Sequence, residues 1–144
     1  MNIAVVFAGG IGQRMKSKGL PKQFLSVHSK PIIIHTLEHF QHSEKIDAIC
    51  ISCVPDWIDY LKGLLEQYNI TKVKAIVPGG ETGQMSIVNG LRAADKWAKE
   101  QDESSRNVVL IHDGVRPLIN EKLINDCIDS VNKYCSAITI VVVK

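Results

Sequence analysis

Three glycine-rich or charged loops carry the residues of this sequence that could bind an anion. The first contains Gly9, Gly10 and Gly12, followed by the cationic Arg14 and Lys22. Glycines let the backbone approach a bulky anion with its N–H groups turned inward, and the two cations add positive charge. The spacing differs from a Walker P-loop and from the dinucleotide-binding G-x-G-x-x-G. We interpret this loop as phosphate-binding; an ordinary strand-to-helix turn is the alternative.

The second loop, Pro78–Ser86, reads Pro-Gly-Gly-Glu-Thr-Gly-Gln-Met-Ser. It offers backbone N–H groups, and Thr82 or Ser86 adds a hydroxyl close to the start of a predicted helix. Helix capping by Thr82 is the structural alternative. Capping is compatible with ligand contact, so both interpretations stay open.

The third loop follows an apolar strand and reads Ile-His-Asp-Gly-Val-Arg-Pro over residues 111–117. A carboxylate directly after a buried strand is well placed to hold Mg²⁺ on nucleotide phosphates, so Asp113 is the candidate metal ligand. Arg116 could pair with Asp113, with Asp126 or with a ligand. A purely structural salt bridge between Asp113 and Arg116 is the alternative.

Two further clusters have the spacing of metal sites without a complete ligand set. His35, His39 and His42 share one predicted helix at i, i+4 and i+7, but no cysteine or carboxylate completes a site on that face, so we expect a solvated face. Cys50 and Cys53 have a C-x-x-C spacing. They lie in a predicted strand, which directs them to opposite faces, and we expect buried free thiols.

Continuous apolar runs alternate with amphipathic segments and position the three loops. Strands are predicted at residues 2–8, 48–54, 74–77, 108–112 and 137–143, and helices begin near residues 31, 55, 84 and 120. The inner stripe of the third helix is predicted as Ile87, Val88, Leu91, Ala94 and Ala98.

Because the strand runs are apolar throughout, both faces of the sheet should be covered. This predicts an α/β fold, a three-layer Rossmann-like and mainly parallel sheet with helices on both faces. Ligands bind beyond the carboxyl ends of the strands in such sheets, and there the three loops should converge.

Composition and charge are typical of a globular protein. The 144 residues fit a single nucleotide-binding domain over 1–144, and 17 basic and 15 acidic residues give a formal net charge of +2. No basic block stands out, so neither a nucleic acid nor a membrane is expected as partner. Without a signal peptide or spanning run, the expected location is cytoplasmic. The sequence stops at the end of an apolar strand with no polar tail, and we therefore expect a C-terminally truncated domain.

The three loops, in this order and spacing, resemble the cytidylyltransferases that act on ribitol 5-phosphate or 2-C-methyl-D-erythritol 4-phosphate. The resemblance covers the whole chain and implies the fold type of nucleotide-diphospho-sugar transferases. It also implies an enzyme that transfers CMP from CTP to a polyol phosphate and releases pyrophosphate. Pro21-Lys-Gln-Phe-Leu25 and Trp57-Ile-Asp-Tyr60 look more like the ribitol-phosphate branch, which serves teichoic acid or capsule biosynthesis, than the isoprenoid branch.

The resemblance further implies a role for each candidate residue. Arg14 and Lys22 would stabilise the charge that develops at the α-phosphate during catalysis. Asp113 would help to bind the cofactor Mg²⁺. The residues implied to bind the nucleotide are Ala8, Gly9, Gly10, Gly80, Glu81, Ser86, Gly114 and Arg116.

Two departures from the family pattern accompany the resemblance. Family members commonly have an arginine near the position of Gly83, and they are longer, with a dimerising arm that makes a homodimer the expected state of the full-length parent. Two other functions remain open. One is a sugar-1-phosphate nucleotidyltransferase or molybdopterin guanylyltransferase, and the other is a non-catalytic nucleotide-binding module.

Overall fold

A computed structural model describes residues 1–9, 19–102 and 106–140 of the chain, and its centre is a parallel sheet. In chain order the strands are β1 (Asn2–Ala8), β2 (Ser26–Val27), β3 (Lys30–Pro31), β4 (Ala48–Cys53), β5 (Val73–Pro78) and β6 (Val108–Asp113). Four of them form the sheet in the order β5-β4-β1-β6, with every neighbouring pair parallel. The short strands β2 and β3 pair antiparallel in a separate ribbon.

Helices cover both faces of this sheet, as predicted. They are α1 (Ile32–His42), α2 (Ile58–Gln67), α3 (Gly83–Gln101) and α4 (Glu121–Tyr134), and two 3-10 turns lie at Lys22–Phe24 and Pro55–Trp57. On one face, α3 packs against alternate residues of β1 and β4. The apolar sides of α1, α2 and α4 share a core with the other face. Among the described helices, none is long and apolar enough to cross a membrane.

The order of the strands creates a switch point beside β1. The chain runs from β1 outward through β4 to β5, then returns through α3 to place β6 on the opposite side of β1. Phe7 on β1 is in register with Asp113 on β6, so both strands end at the same level. The crevice at such a reversal is the usual ligand-binding position in open parallel sheets.

The buried stripe of α3 differs from the prediction. Ala94 and Ala98 are buried as expected, but the stripe continues through Gly90 and Ser86, and Val88 is exposed. A Cβ on Gly90 would lie only 2.6 Å from Cγ1 of Val5. Small residues therefore set the close approach of α3 to the sheet, whereas the prediction selected the larger apolar residues.

The predicted fifth strand is absent from its described part. Residues 137–140 form no strand and are exposed, and residues 141–143 lie outside the described ranges. Within the described sheet β6 is thus an edge, and its residues Val109 and Ile111 are exposed. An apolar groove of about 350 Å³ lies between β6 and α4, away from the first two loops.

Candidate nucleotide-binding site

The loops after β1 and β5 meet in a tightly packed corner that we call the glycine corner: Gly9, Gly79, Gly80 and Ser86. The N–H of Gly79 donates to the carbonyl of Cys53 over 2.7 Å, which continues the sheet into the loop. A Cβ on Gly79 would lie 2.9 Å from Cα of Gly9, and a Cβ on Gly9 would overlap Oγ of Ser86. The corner can form only because these positions carry no side chain.

Ser86 has a structural role in this corner. Its hydroxyl accepts a hydrogen bond from the N–H of Gly80 at 3.0 Å and donates to the carbonyl of Thr82 at 3.1 Å. The side chain is buried, so it shapes the corner from inside. Thr82 also caps α3 by accepting from the N–H of Met85 at 3.1 Å, which confirms the capping interpretation.

The loop after β6 packs on the end of β1, across the switch point. The N–H of Gly114 donates to the carbonyl of Phe7 over 3.0 Å. A Cβ on Gly114 would lie 3.2 Å from Cβ of Ala8, so the two loops are in close contact there. The glycine corner lies on the other side of the same strand end. The predicted convergence of the three loops is confirmed for their described residues, and Glu81, which follows Gly80, is exposed.

Gln23 helps to build the site, although it was not among the site residues predicted from the sequence. Its side chain is buried and donates from Nε2 to the carbonyl of Ala8 at 2.8 Å. This bond ties the 3-10 turn Lys22–Phe24 to the end of β1. Lys22 is half-buried, and no described carboxylate lies within ion-pair distance of it. The Pro21-Lys22-Gln23 cluster was the available signal, but the buried amide could not be identified from it.

Two of the predicted site residues, Gly10 and Arg14, lie outside the described residues. Their predicted contacts with the nucleotide stay predictions. At the start of the first loop the described chain ends at Gly9, which belongs to the glycine corner.

The carboxylate of Asp113 is half-buried and oriented by its own loop. Oδ1 accepts from the N–H of Val115 at 3.1 Å, and Oδ2 lies 3.6 Å from Nε of Arg116. The Arg116 side chain is 77% exposed, and an exposed pair at this distance contributes little to stability. Asp126 pairs with Lys122 instead. The predicted Asp113–Arg116 contact exists, and its weakness leaves both groups able to turn to a ligand.

The described residues fit a magnesium ion that arrives with its nucleotide. Among them, no group of three or more His, Cys, Asp or Glu side chains could hold a metal ion. Mg²⁺ keeps several waters and often takes one or two carboxylates together with substrate phosphates. The side chain of Asp113 supplies such a single carboxylate at the end of β6. The described residues supply too few ligands for a metal site made of protein groups alone.

The histidines of α1 are partly engaged rather than simply solvated. Nε2 of His35 lies 2.9 Å from the carbonyl of Val27, and Nε2 of His39 lies 3.0 Å from the carbonyl of Pro117. The expectation of a purely solvated face was therefore wrong for these two. The third histidine of this helix, His42, is exposed, as predicted.

The two cysteines of the C-x-x-C spacing are free and buried, as predicted. Cys53 packs in the core under α1 and α2, whereas Cys50 packs under α3, so the side chains point to opposite faces. Burial raises the pKa of each thiol to about 11. Neither a disulfide nor a metal thiolate is compatible with these positions.

Comparison with known proteins identifies the family. The family described as 2-C-methyl-D-erythritol 4-phosphate cytidylyltransferase, IspD, matches residues 2–144. The chain belongs to the IspD family of cytidylyltransferases. Within this family the chain is 59% identical, over all of its length, to a protein of Streptococcus agalactiae serotype Ia named ribitol-5-phosphate cytidylyltransferase.

Two other relatives carry the two names found in the family. It is 55% identical over 96% of its length to the ribitol-5-phosphate cytidylyltransferase of Vibrio parahaemolyticus. It is 40% identical over 94% of its length to a protein of Clostridium botulinum named 2-C-methyl-D-erythritol 4-phosphate cytidylyltransferase. The chain spans 58%, 56% and 56% of these three relatives, somewhat more than half of each.

The fold also matches solved structures of the IspD family. The structure of 4-diphosphocytidyl-2C-methyl-D-erythritol synthase from Anaerococcus prevotii aligns with 92% of this chain, with a TM-score of 0.67 and 27% identity. The chain covers 51% of that structure. The predicted α/β fold with a parallel sheet and flanking helices is thereby confirmed.

Proposed function

We propose that this chain is the nucleotide-binding part of an enzyme that transfers CMP from CTP to ribitol 5-phosphate and releases pyrophosphate. One observation carries the proposal: three loops converge at the switch point beside β1, with backbone surfaces on one side and the carboxylate of Asp113 on the other. A nucleoside triphosphate needs both, because its base and sugar need shape and its phosphates need charge compensation.

Ribitol 5-phosphate is preferred as acceptor because of the relatives. Those named for ribitol 5-phosphate are 59% and 55% identical to this chain, and the one named for 2-C-methyl-D-erythritol 4-phosphate is 40% identical. Both acceptors present a phosphate monoester on a short polyol, so the chemistry of the transfer is the same. The methylerythritol acceptor therefore remains the alternative within the family.

The reaction needs positioning and charge neutralisation rather than a covalent nucleophile. An oxygen of the acceptor phosphate attacks the α-phosphorus of CTP in line, and the bond to the bridging oxygen breaks as pyrophosphate leaves. Lys22 and Arg14 would neutralise the negative charge that builds on the α-phosphate. Arg116, whose side chain is exposed, can reach a phosphate without losing a strong partner.

Asp113 is the residue that would hold Mg²⁺, through the carboxylate at the end of β6. When bound, the ion would screen the triphosphate and favour departure of pyrophosphate. Gly9, Gly80 and Gly114 would present close-packed backbone to the nucleotide, with Ala8 between the two loops. Glu81, exposed beside Gly80, could accept hydrogen bonds from the cytosine or ribose.

We also infer the setting in which the full-length protein works. Buried, protonated thiols at Cys50 and Cys53 suit the reducing cytoplasm, where disulfides are rare. A homodimer is inferred from the family resemblance. Nucleic acid and membrane are not proposed as partners, because a net charge of +2 without a basic block gives no electrostatic basis for either.

The test is pyrophosphate release from CTP and Mg²⁺, with each acceptor offered separately to the complete open reading frame that contains this chain. Release with ribitol 5-phosphate and at most a trace with methylerythritol phosphate is the expected result. The reverse preference would show that methylerythritol phosphate, and not ribitol 5-phosphate, is the acceptor. Release with neither, and with GTP, UTP and ATP also inactive, would favour the non-catalytic nucleotide-binding module.

A further inference from the structure

Three side chains hold the loop 113–117 by its carbonyl groups. The hydroxyl of Thr36 donates to the carbonyl of Gly114 at 2.9 Å. Nε2 of His39 lies 3.0 Å from the carbonyl of Pro117, and Nε2 of His112 lies 2.8 Å from that of Arg116. Three of the five carbonyls of this short loop thus have a side-chain donor, two of them from α1.

The chemistry of these contacts defines their direction. A carbonyl oxygen can only accept, so each histidine must carry its proton on Nε2. The Thr36 hydroxyl also lies 3.4 Å from the carbonyl of Ile32, and its shorter contact is the one to the loop. Thr36 is fully buried, and the ring of Phe40 lies edge-on to that of His112 with centroids 5.4 Å apart. The donors are therefore held in fixed positions.

The donors inside the loop are used within the loop or by β1. The N–H of Val115 donates to Oδ1 of Asp113, the N–H of Arg116 donates to the carbonyl of Asp113, and the N–H of Gly114 donates to Phe7. These three N–H groups are thus satisfied by the loop itself or by β1, whereas three of the loop carbonyls depend on Thr36, His39 and His112. Because α1 is packed in the core through Ile33 and Leu37, it is a rigid support for the loop.

We propose that Thr36, His39 and His112 are positioning residues that fix the direction of the Asp113 carboxylate for Mg²⁺ and nucleotide. None of the three is assigned to touch the substrate; each acts through the loop. The proposal rests on the proposed function, since it gives the loop a purpose only if Asp113 binds the metal. Mutation of a residue that supports a metal ligand typically lowers metal affinity or activity by about 10–100-fold.

Thr36 offers a nearly isosteric test on the complete open reading frame. Thr36→Val removes the donor and keeps the shape, and Thr36→Ser keeps the donor. We expect Thr36→Val to raise the Mg²⁺ concentration for half-maximal pyrophosphate release by about 10-fold, and Thr36→Ser to stay within about 2-fold of wild type. A rate that falls by one factor at every Mg²⁺ concentration would show only a loss of folded protein and would overturn the proposal.

His39 has a matched control on the same helix. His35 makes the same type of bond one turn earlier, but to Val27 of the β2–β3 ribbon and not to the loop. His39→Leu should raise the Mg²⁺ concentration for half-maximal pyrophosphate release several-fold. His39→Gln, whose amide can donate, should restore the wild-type value. His35→Leu should leave that dependence at the wild-type value. An equal effect of both leucine variants would contradict the assignment.

A second measurement separates this proposal from the proposed function. Amide hydrogen exchange of Val115 and Arg116 reports the order of the loop without any substrate. We expect exchange at both amides to be about 10-fold faster in Thr36→Val than in Thr36→Ser. If the wild type releases no pyrophosphate but this difference is found, the enzyme function fails and the loop support stands. If exchange is the same in both variants, the loop support fails.

Discussion

The two sides of the site are built by opposite means. The glycine corner exists because Gly9, Gly79 and Gly80 have no side chains. A Cβ on Gly9 or Gly79 would meet the other glycine or the buried Ser86, and a Cβ on Gly80 would meet Met85. The loop 113–117 exists because side chains from outside it satisfy its carbonyls. One side is defined by exclusion of atoms and the other by donated hydrogen bonds.

This difference predicts two kinds of sensitivity. The glycine corner should not tolerate any added side chain, polar or apolar, even one as small as a methyl group, because close packing leaves no room. The loop should tolerate changes of shape that keep a donor, and should fail when the donor or the carboxylate is lost. The following changes test this contrast, beginning with the largest expected effect.

Asp113→Asn should have the largest effect, on the charged side. The amide keeps the size of the carboxylate but removes the negative charge that would hold Mg²⁺, so kcat/KM for pyrophosphate release should fall by roughly 100-fold or more. Steady-state kinetics on the complete open reading frame measures this. Asp126→Asn is the control, because Asp126 pairs with Lys122 on the surface of α4. Retention of a third of the activity in Asp113→Asn would remove Asp113 from the metal site.

Gly80→Ala should have the next largest effect, on the glycine corner. The new Cβ would overlap Cβ of Met85 and lie 3.1 Å from its carbonyl carbon. Overpacking of this kind costs roughly 1–3 kcal/mol, and we expect the dissociation constant for CTP to rise about 10-fold or more.

Gly83→Ala is the matched control for that change. Gly83 begins α3 only three residues later, and a Cβ there meets nothing within 4 Å. Its stability should be unchanged or higher by up to about 1 kcal/mol, since alanine favours the helix. Calorimetric titration with CTP compares the two variants. Equal weakening in both would show that the corner is not set by steric exclusion.

Ser86→Ala should have an intermediate effect on folding. It leaves the N–H of Gly80 without its partner and removes the bond to the carbonyl of Thr82. An unmade buried hydrogen bond costs about 1–3 kcal/mol, and urea unfolding of the 144-residue chain should show a loss in this range. Ser26→Ala, at an exposed position of β2, should change the free energy of unfolding by less than about 0.5 kcal/mol. A neutral Ser86→Ala would contradict the structural role.

Arg116→Gln should have the smallest effect on stability. The ion pair with Asp113 is exposed and 3.6 Å long, so its loss should cost less than about 1 kcal/mol. His112 bonds to the backbone of residue 116, which the substitution leaves in place. If Arg116 contacts the nucleotide, KM for CTP should rise several-fold while the midpoint of urea unfolding stays constant. A large shift in that midpoint would make Arg116 a structural residue.

The contrast also explains what could be predicted from the sequence. Glycine pairs and a carboxylate at strand ends can be recognised directly in the sequence, and the parallel sheet follows from the apolar runs. Gly9, Gly80 and Asp113 were therefore placed correctly at the carboxyl end of the parallel strands. The supports of the loop have no such signature. Thr36 and His39 bond to backbone carbonyls about 78 residues away, and any residue type has a carbonyl.

Two wrong predictions from the sequence have the same origin. The apolar pattern favoured Val88 for the inner stripe of α3, whereas the distance to the sheet is set by the small residues Ser86, Gly90 and Ala94. The apolar residues at 137–140 suggested a strand, yet Ile138 and Ile140 are exposed and unpaired with β6 in the described sheet. Hydrophobicity marks what can be buried, and tertiary contacts decide what is buried.

The most direct test of nucleotide binding at the switch point is a titration of the isotope-labelled 144-residue chain with Mg²⁺ and CTP, followed through its amide chemical shifts. If the three loops form the nucleotide site, the largest changes occur at Gly9, Gly80 and Gly114, on both sides of the switch point, and amides in the middle of α4 do not respond. Changes confined to the apolar groove between β6 and α4, with the three glycine amides unaffected, would contradict nucleotide binding at the switch point.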